Sequence, residues 1–267
     1  MEKASYIRSR IWLEEPEPNN PFACRAAYCH GYDVYGEMLG SAGWVDMIYL
    51  LFKGEAPSLA QAAALELLAV ALANPGPRDP AVHAAMCAGV GGSPAAAALT
   101  AALAVGAGGS GGAREVLRAM QAWAACGKDL GAWQSYWSTP ATSKDAVDAW
   151  PAAEHPAGFE PLGVTTTTPV KQALARLASL DANSRCAWLS TNLTSLEQAA
   201  GHPLSMVGVA AAALCDLDML PEEGEMLFLL LRLPGAAAHA LEQRASGHKK
   251  FPFYELELED ATSGAVP

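Results

Sequence analysis

The chain has 267 residues and a formal net charge of −11, and 51% of its residues are hydrophobic while 17% are charged. That balance is typical of a folded globular protein and excludes a disordered one, and the length allows one large core or two modest domains. The negative charge argues against a surface for nucleic acid or for an anionic membrane.

Three further features narrow the class of protein. No signal-type apolar stretch follows Met1, and residues 93–109 are apolar but too short to span a bilayer. The six cysteines are dispersed without a Cys-x-x-Cys pair, which favours reduced thiols over disulfides or a zinc site. We therefore expect a cytoplasmic protein with no membrane segment and no metal.

Alanine and leucine dominate the apolar content and runs of β-branched residues are scarce, so the sequence predicts an all-α fold. The polar, proline-rich residues 1–23 predict an irregular arm, and residues 127–169 predict a loop-rich region. After Arg244 a short alternating stretch is expected to precede a disordered end. Helices are predicted over residues 44–52, 58–74 (with Ser58 as N-cap), 80–90, 94–105, 114–125, 173–180, 185–200, 207–220 and 226–243.

The last predicted helix carries a single charge, Arg232, in its apolar middle. A guanidinium keeps its proton and is costly to bury unpaired, so Arg232 must reach a carboxylate, a cluster of carbonyls or solvent. The segment LLLRLPGAAAHALEQ (residues 229–243), called the signature segment below, resembles the Arg-x-x-Gly-x-x-Ala-His-x-x-Glu-Gln pattern of the citrate synthase and citryl-CoA lyase superfamily. The matching positions are Arg232, Gly235, Ala238, His239, Glu242 and Gln243.

A second likeness lies nearer the N-terminus, where GYDVYGEML and VDMIYLLFKGEAP follow the order of segments in the family. The resemblance implies a two-domain helical fold, with a small domain, residues 111–203, inserted into a large one, residues 1–110 plus 204–267. It also implies a homodimer whose ligand is a small carboxylate or an acyl-CoA, with CoA as a substrate and no separate cofactor.

The positions that carry catalysis in the family differ in this chain. Family members use an aspartate base, one histidine for the enolate and one for the keto acid, which are acid–base and electrostatic tasks. Ser110 stands in place of the enolate histidine, Val207 in place of the aspartate, and residues 158–161 lack the keto-acid histidine. His155 is the nearest substitute, although a loop histidine beside a proline is more often simply exposed.

Two groups are predicted to bind the ligand. Arg232 is expected to hold a carboxylate, and its alternative is a buried salt bridge to an acid such as Glu37 or Asp33. The glycine loop, residues 108–112, is expected to present the backbone N–H groups of Gly109 and Gly111, and its alternative is close packing with Ser110 as a helix cap.

The candidate catalytic residues are His202, His30 and Ser110. His202 stands at the entrance to the predicted 207–220 helix, and His30 occupies a position where the family usually has arginine. His239 is a candidate ligand contact, although a histidine in an apolar helix more often packs or supports a neighbour. Lys250 lies near the place of a family arginine that reaches the partner subunit, and its alternative is an ordinary exposed lysine.

Two hypotheses follow from these residues. In the first, the protein is a diverged C–C bond lyase or transferase that binds a carboxylate or acyl-CoA-type ligand and is not an ordinary citrate synthase. In the second, it is a non-catalytic pseudoenzyme that acts as a ligand sensor or as the partner of an active paralogue. One cavity shared by His30, His202 and Arg232 would favour the enzyme, and a cavity filled by Trp133, Trp137 or Met206 would favour the pseudoenzyme.

Overall fold

The structure is a computed structural model that describes residues 7–138, 155–252 and 254–255. Within these residues a small antiparallel sheet precedes ten α-helices, which confirms the predicted all-α class. The strands are β1 (Trp12–Glu17), β2 (Asn20–Cys29) and β3 (Tyr32–Asp33). The helices are α1 (Trp44–Lys53), α2 (Leu59–Leu72), α3 (Pro80–Val90), α4 (Ala95–Gly106), α5 (Ala113–Cys126), α6 (Leu130–Ser138), α7 (Thr168–Ala178), α8 (Arg185–Ala200), α9 (Met206–Asp216) and α10 (Pro221–Ser246).

The N-terminal segment is not the irregular arm that its composition predicts. β1 and β2 form a hairpin in which Trp12 lies opposite Cys29, and β3 pairs with the end of β2. Pro16 lies where the register shifts, and Pro18 lies in the turn, so neither missing N–H interrupts a regular part of the ladder. The prolines that suggested an irregular arm are therefore compatible with strand pairing.

Most helix starts follow the capping signals of the sequence. Ser58 accepts a hydrogen bond from the backbone of α2, Ser184 does the same for α8, and Asp79 caps α3 with Pro80 in its first position. The bounds of α10 agree less well, because the helix runs from Pro221 to Ser246, whereas the sequence predicts residues 226–243. The helix continues through Pro234.

The region predicted to be loop-rich, residues 127–169, contains α6 and the first residues of α7. Asp129 initiates α6 by accepting hydrogen bonds from the backbone N–H groups of Gly131 and Ala132, a local signal that the surrounding aromatic residues obscure. Residues 139–154 of this region, and the predicted alternating stretch and end of the chain, lie outside the described residues.

Buried apolar side chains form two clusters that α10 connects. The larger involves α1, α2 and α5 to α10, and every residue of α9 from 207 to 214 is buried. The smaller lies between α3, α4 and α10 and consists mainly of alanine, which lets these helices approach closely. The division into residues 1–110 plus 204–267 and 111–203 stays a prediction. None of the described helices is long and apolar enough to span a membrane.

Candidate functional site

Arg232 lies in the middle of α10 with its charge already paired. Its Nη2 donates to Oδ2 of Asp79, its Nη1 donates to the carbonyl of Gly111 at 3.0 Å, and its guanidinium lies 4.9 Å from the ring centre of Phe228. The Arg232 side chain is 10% exposed and that of Asp79 is 15% exposed. The alternative of a buried salt bridge is therefore the one observed, but its acid is Asp79 and neither Glu37 nor Asp33.

Asp79 is also fully engaged. Its Oδ1 accepts hydrogen bonds from the N–H groups of Ala81 at 3.0 Å and Val82 at 3.2 Å, which caps α3, while its Oδ2 accepts from Arg232. One carboxylate thus satisfies a helix N-terminus and a buried guanidinium at once.

Two other matching residues of the signature segment, Gly235 and His239, contact the loop between α2 and α3, residues 73–79. The N–H of Gly235 donates to the carbonyl of Ala73 at 2.7 Å, and a Cβ on Gly235 would stand 2.5 Å from that oxygen. Nε2 of His239 lies 3.2 Å from Oδ1 of Asn74, and Nδ1 of His239 lies 3.1 Å from Oε2 of Glu242. The signature segment therefore fastens α10 to this loop.

The glycine loop is closed by a carboxylate of the protein itself. The N–H of Gly111 donates to Oε2 of Glu115, and the N–H of Gly158 donates to Oε1 at 2.8 Å. Glu115 is only 3% exposed, and Nε2 of His155 lies 3.6 Å from its Oε1. Ser110 is exposed at the tip of the loop. Gly109 lies against Arg118, because a Cβ on it would stand 3.3 Å from the guanidinium.

The three segments that correspond to the family's catalytic positions do converge at this point. Gly158 joins the glycine loop through Glu115, and its carbonyl accepts from the N–H of Ser205 at 3.0 Å, just before α9. A Cβ on Gly208 would stand 2.3 Å from the same carbonyl, so only glycine fits there. Val207 beside it is buried and apolar. The glycine loop, residues 158–161 and the start of α9 therefore meet at Gly158.

The structure corrects the expectation for His155 and places His202 beside it. His155 is 8% exposed, contrary to the expectation of an exposed loop histidine, because the buried carboxylate of Glu115 faces it. The rings of His155 and His202 lie 6.2 Å apart, centre to centre. His202 is half-buried at the edge of an open cavity of about 460 Å³, which Thr194 and Glu197 also line.

His30 and Lys250 lie elsewhere. His30 occupies the turn between β2 and β3 with a φ of 48°, its ring faces Gly54, and its buried Nε2 has no hydrogen-bond partner among the described residues. Lys250 is exposed in a short 3-10 turn, His248–Lys250, after α10. Among the candidates, only Arg232 and Gly111 are in direct contact.

The cavities separate the candidate residues, because Arg232, His202 and the pair Trp133 and Trp137 line three different ones. Trp133 and Trp137 line an apolar cavity beside Gly158 of only about 20 Å³, roughly the space of one water molecule. Arg232 lines a separate cavity of about 10 Å³, and His202 lines the open one. In the described part of the chain, no group of three or more potential ligands is placed to hold a metal ion.

A further cavity of about 280 Å³ between α2, α7, α8 and α9 contains a thiol but no activated nucleophile. Its lining includes Cys186 and Asp216. Burial, reinforced by Asp216, raises the pKa of Cys186, and burial raises the pKa of neighbouring Cys215 to about 12. Both thiols are therefore protonated and unreactive at neutral pH. All six cysteines are free.

The sequence analysis missed Asp79 and Glu115, and only weak signals could have indicated them. Asp79 precedes a proline at a helix start, which predicts an N-cap but not an arginine partner. Glu115 lies in the first turn of α5, where an acidic residue is common for reasons of helix polarity alone. Both roles depend on residues that are distant in the sequence.

The fold is citryl-CoA lyase-like, which confirms the fold implied by the signature segment. Citryl-CoA lyase from Hydrogenobacter thermophilus superposes with a TM-score of 0.70 at 17% identity, over 98% of each chain. ATP citrate lyase from Methanothrix soehngenii, in complex with citrate and coenzyme A, gives 0.68 at 16% identity over 100% of this chain and 44% of that one. A mutant ATP citrate lyase from Methanosaeta concilii, in complex with (3S)-citryl-CoA, gives 0.66 at 16% identity, over 99% and 44%.

No protein-family model and no curated protein matches the sequence. At identities of 16–17%, these superpositions establish the fold alone. The activity has to be argued from the side chains of this chain.

Proposed function

We propose that this chain is a non-catalytic protein of citryl-CoA lyase-like fold, whose anion-binding groups are occupied by its own carboxylates. The observation that carries the proposal is the contact of Arg232 with Asp79. The guanidinium is 10% exposed and its charge is already compensated by Asp79, so a carboxylate ligand would have to displace that partner.

The glycine loop supports the same proposal. An anionic ligand at this loop would need backbone N–H groups, and that of Gly111 is bonded to Glu115. The Glu115 carboxylate would also repel an incoming anion at close range. Ser110 and Val207 supply no group that exchanges a proton at neutral pH, so the acid–base steps of C–C bond cleavage lack their agents.

The role left for such a protein is that of a partner for an active paralogue, or of a sensor for a ligand that binds without Arg232, with free thiols that suit the cytoplasm. Both roles use the fold as a binding surface and need no turnover. The solved relatives bind citrate, coenzyme A or citryl-CoA, so these compounds form the set of ligands to test first.

The test is a thermal-shift titration of the full chain with citrate, oxaloacetate, coenzyme A and acetyl-CoA. A ligand at a hundred times its dissociation constant stabilises a protein by about 2.7 kcal/mol, so binding would be visible as a rise in Tm. We expect no saturable shift for the wild type. In Asp79→Asn, which keeps a capping side chain but removes the competing charge, we expect a weak shift with citrate.

A saturable shift in the wild type that is lost in Arg232→Ala would overturn the proposal, because Arg232 would then still bind a carboxylate. The control is Arg114→Ala, which removes an exposed arginine that pairs with Glu225 and not with Asp79. It should leave the result of each titration unchanged.

The open cavity beside His202 favours a second candidate, a diverged C–C bond lyase or transferase. With about 460 Å³ it is large enough for a small acid, and His202 with neighbouring His155 offers imidazole groups that can donate or accept a hydrogen bond. This candidate predicts a ligand-induced shift that survives Arg232→Ala and is lost in His202→Ala. The absence of any shift in all three proteins would exclude it for these ligands.

A further inference from the structure

The cavity of about 280 Å³ between α2, α7, α8 and α9 is called the Cys186 cavity below. It lies toward the other ends of α8 and α9 from the place where the glycine loop meets Gly158. Cys186 is separated from Glu197, which accepts from the N–H of Leu204 near that place, by about 16–17 Å of α8. Ligand pockets in proteins begin at about 300 Å³, and an apolar cavity of about 150 Å³ can already hold benzene. The Cys186 cavity therefore has the size of a site for a small molecule.

Part of the lining of the Cys186 cavity is apolar and deeply buried. Leu177 is 4% exposed, Ala213 is 1% exposed and Leu217 is 0% exposed. Cys186, which is 1% exposed, also lines the cavity. Burial and the charge of Asp216 hold the pKa of this thiol above its ordinary value, so the thiol is neutral at physiological pH. This part of the lining suits the apolar body of a ligand.

The charged part of the lining consists of two carboxylates. Asp181 and Asp216 both line the cavity, and none of the described residues that line it is a lysine, an arginine or a histidine. Arg185 compensates Asp216 from outside the lining, because its Nη1 lies 3.5 Å from Oδ1 of Asp216 and donates to the carbonyl of Cys215 at 2.9 Å. Asp181 is exposed and forms no ion pair with another described residue. An uncompensated negative charge therefore remains at the cavity.

The start of α8 does not offset this charge, because most of its N–H groups are already bonded. Asp216 accepts from the N–H groups of Arg185 at 2.7 Å and Cys186 at 3.0 Å. Ser184 accepts from the N–H of Ala187 at 3.0 Å. These are three of the four N–H groups that the start of a helix leaves open. An anionic ligand would gain little from α8 and would be repelled by the carboxylates of the lining.

We propose that the Cys186 cavity binds a small organic cation, an amine with an apolar body of about ten non-hydrogen atoms. The apolar body packs against the buried leucines and Ala213, and the ammonium group donates to the carboxylates of Asp181 and Asp216. This ligand is opposite in charge to the citrate and coenzyme A that a solved relative binds. The site goes beyond the proposed function and shares no lining residue with the cavities at Arg232 and His202, so either proposal can fail without the other.

The test is a titration of the isotope-labelled full chain with three probes of the same shape, 3-phenylpropylamine, 3-phenylpropanol and 3-phenylpropionate, followed by the NMR shifts of backbone amides. We expect the amine to shift the amides of Arg185 and Cys186 saturably, with a Kd of about 0.1–1 mM for a molecule of this size. The alcohol should bind about tenfold more weakly and the acid should not bind measurably, since the three probes differ only in the charge of the head group.

Variants of α2 test the place of binding. Ala64→Phe fills the cavity and should abolish binding of the amine, whereas Ala63→Phe, on the same helix and outside the lining, should preserve it. Ala60→Trp, at an exposed position of the lining, repeats the test in case Ala64→Phe does not fold.

Variants of two aspartates test the charge. Asp181→Asn keeps an acceptor for the N–H of Asn183 and should weaken binding of the amine about three- to fivefold, with no effect on the alcohol. Asp129→Asn, at an exposed carboxylate that also accepts a backbone N–H at 2.8 Å, should change neither. The proposal is overturned if no probe shifts these amides, if the amine binds no more tightly than the alcohol or the acid, or if its binding survives in a folded Ala64→Phe or Ala60→Trp variant.

Discussion

The signature segment and the glycine loop both contain groups that can bind an anion, and they differ in how those groups are occupied. In the signature segment the residues match the family pattern, yet Arg232, Gly235 and His239 all bond to the 73–79 loop or its end. In the glycine loop the family's ionisable residue is replaced by exposed Ser110, and Glu115 accepts the backbone hydrogen bond instead.

A residue can therefore match the family pattern without being free to bind a ligand. Arg232 is where the pattern predicts it, but its charge is satisfied within the chain. At the glycine loop no catalytic residue matches, yet the loop still meets Gly158 and the start of α9. In both regions backbone contacts hold the segments together, since the N–H of Gly235 donates to Ala73 and the carbonyl of Gly158 accepts from Ser205.

The strongest test of this comparison is Glu115→Ala, which removes the carboxylate that joins the glycine loop to Gly158. Two backbone N–H groups, one of them deeply buried, would lose a charged acceptor. We expect the free energy of unfolding to fall by about 3–5 kcal/mol, measured by urea denaturation.

Two variants serve as controls for that measurement. Glu115→Gln keeps one carbonyl acceptor and should cost clearly less, and Gln121→Ala, an exposed change on the same helix, should stay within about 0.5 kcal/mol of the wild type. If Glu115→Ala cost less than about 1 kcal/mol, the carboxylate would not be what closes the loop, and the comparison would fail.

The helical fold could be predicted because its determinants are local. Ser58 and Ser184 begin helices for reasons visible within four residues, and alanine and leucine favour helix wherever they cluster. The hairpin of β1 and β2 was missed for the same reason, since Pro16 and Pro18 oppose a strand locally while the pairing partner is supplied by another segment.

The candidate site could be predicted only in part because its contacts join distant residues. Arg232 and Asp79 are 153 positions apart, and Gly158 and Glu115 are 43 apart. The sequence indicates that Arg232 must be paired, and the structure shows that it is. The sequence alone does not distinguish Asp79 from other acids as the partner. It also could not place His155 in a buried position, because that depends on a carboxylate from α5.

An intermediate effect is expected from Gly235→Ala in the signature segment. The added Cβ would stand 2.5 Å from the carbonyl of Ala73, a backbone atom that can move only with its loop. Overpacking of this kind costs about 1–3 kcal/mol, although the helix propensity of alanine offsets up to about 1 kcal/mol. The control is Gly106→Ala in α4, where the new Cβ meets Ala81 and Leu229 at ordinary contact distances. Equal stability of the two variants would show that the close approach at Gly235 is not required.

We expect the smallest effect from His239→Ala. This variant distinguishes a packing role for His239 from a role in binding a ligand. Its side chain is 18% exposed and lies within hydrogen-bond distance of Asn74 and Glu242. Loss of these contacts should lower the free energy of unfolding by about 1 kcal/mol, whereas Glu242→Ala, at a carboxylate 71% exposed, should cost less than about 0.5 kcal/mol. A histidine held for a ligand would instead be nearly neutral for stability when removed. Since the contact with Asn74 crosses from α10 to the 73–79 loop, a measurable loss would mean that this histidine, like Arg232, now serves the fold.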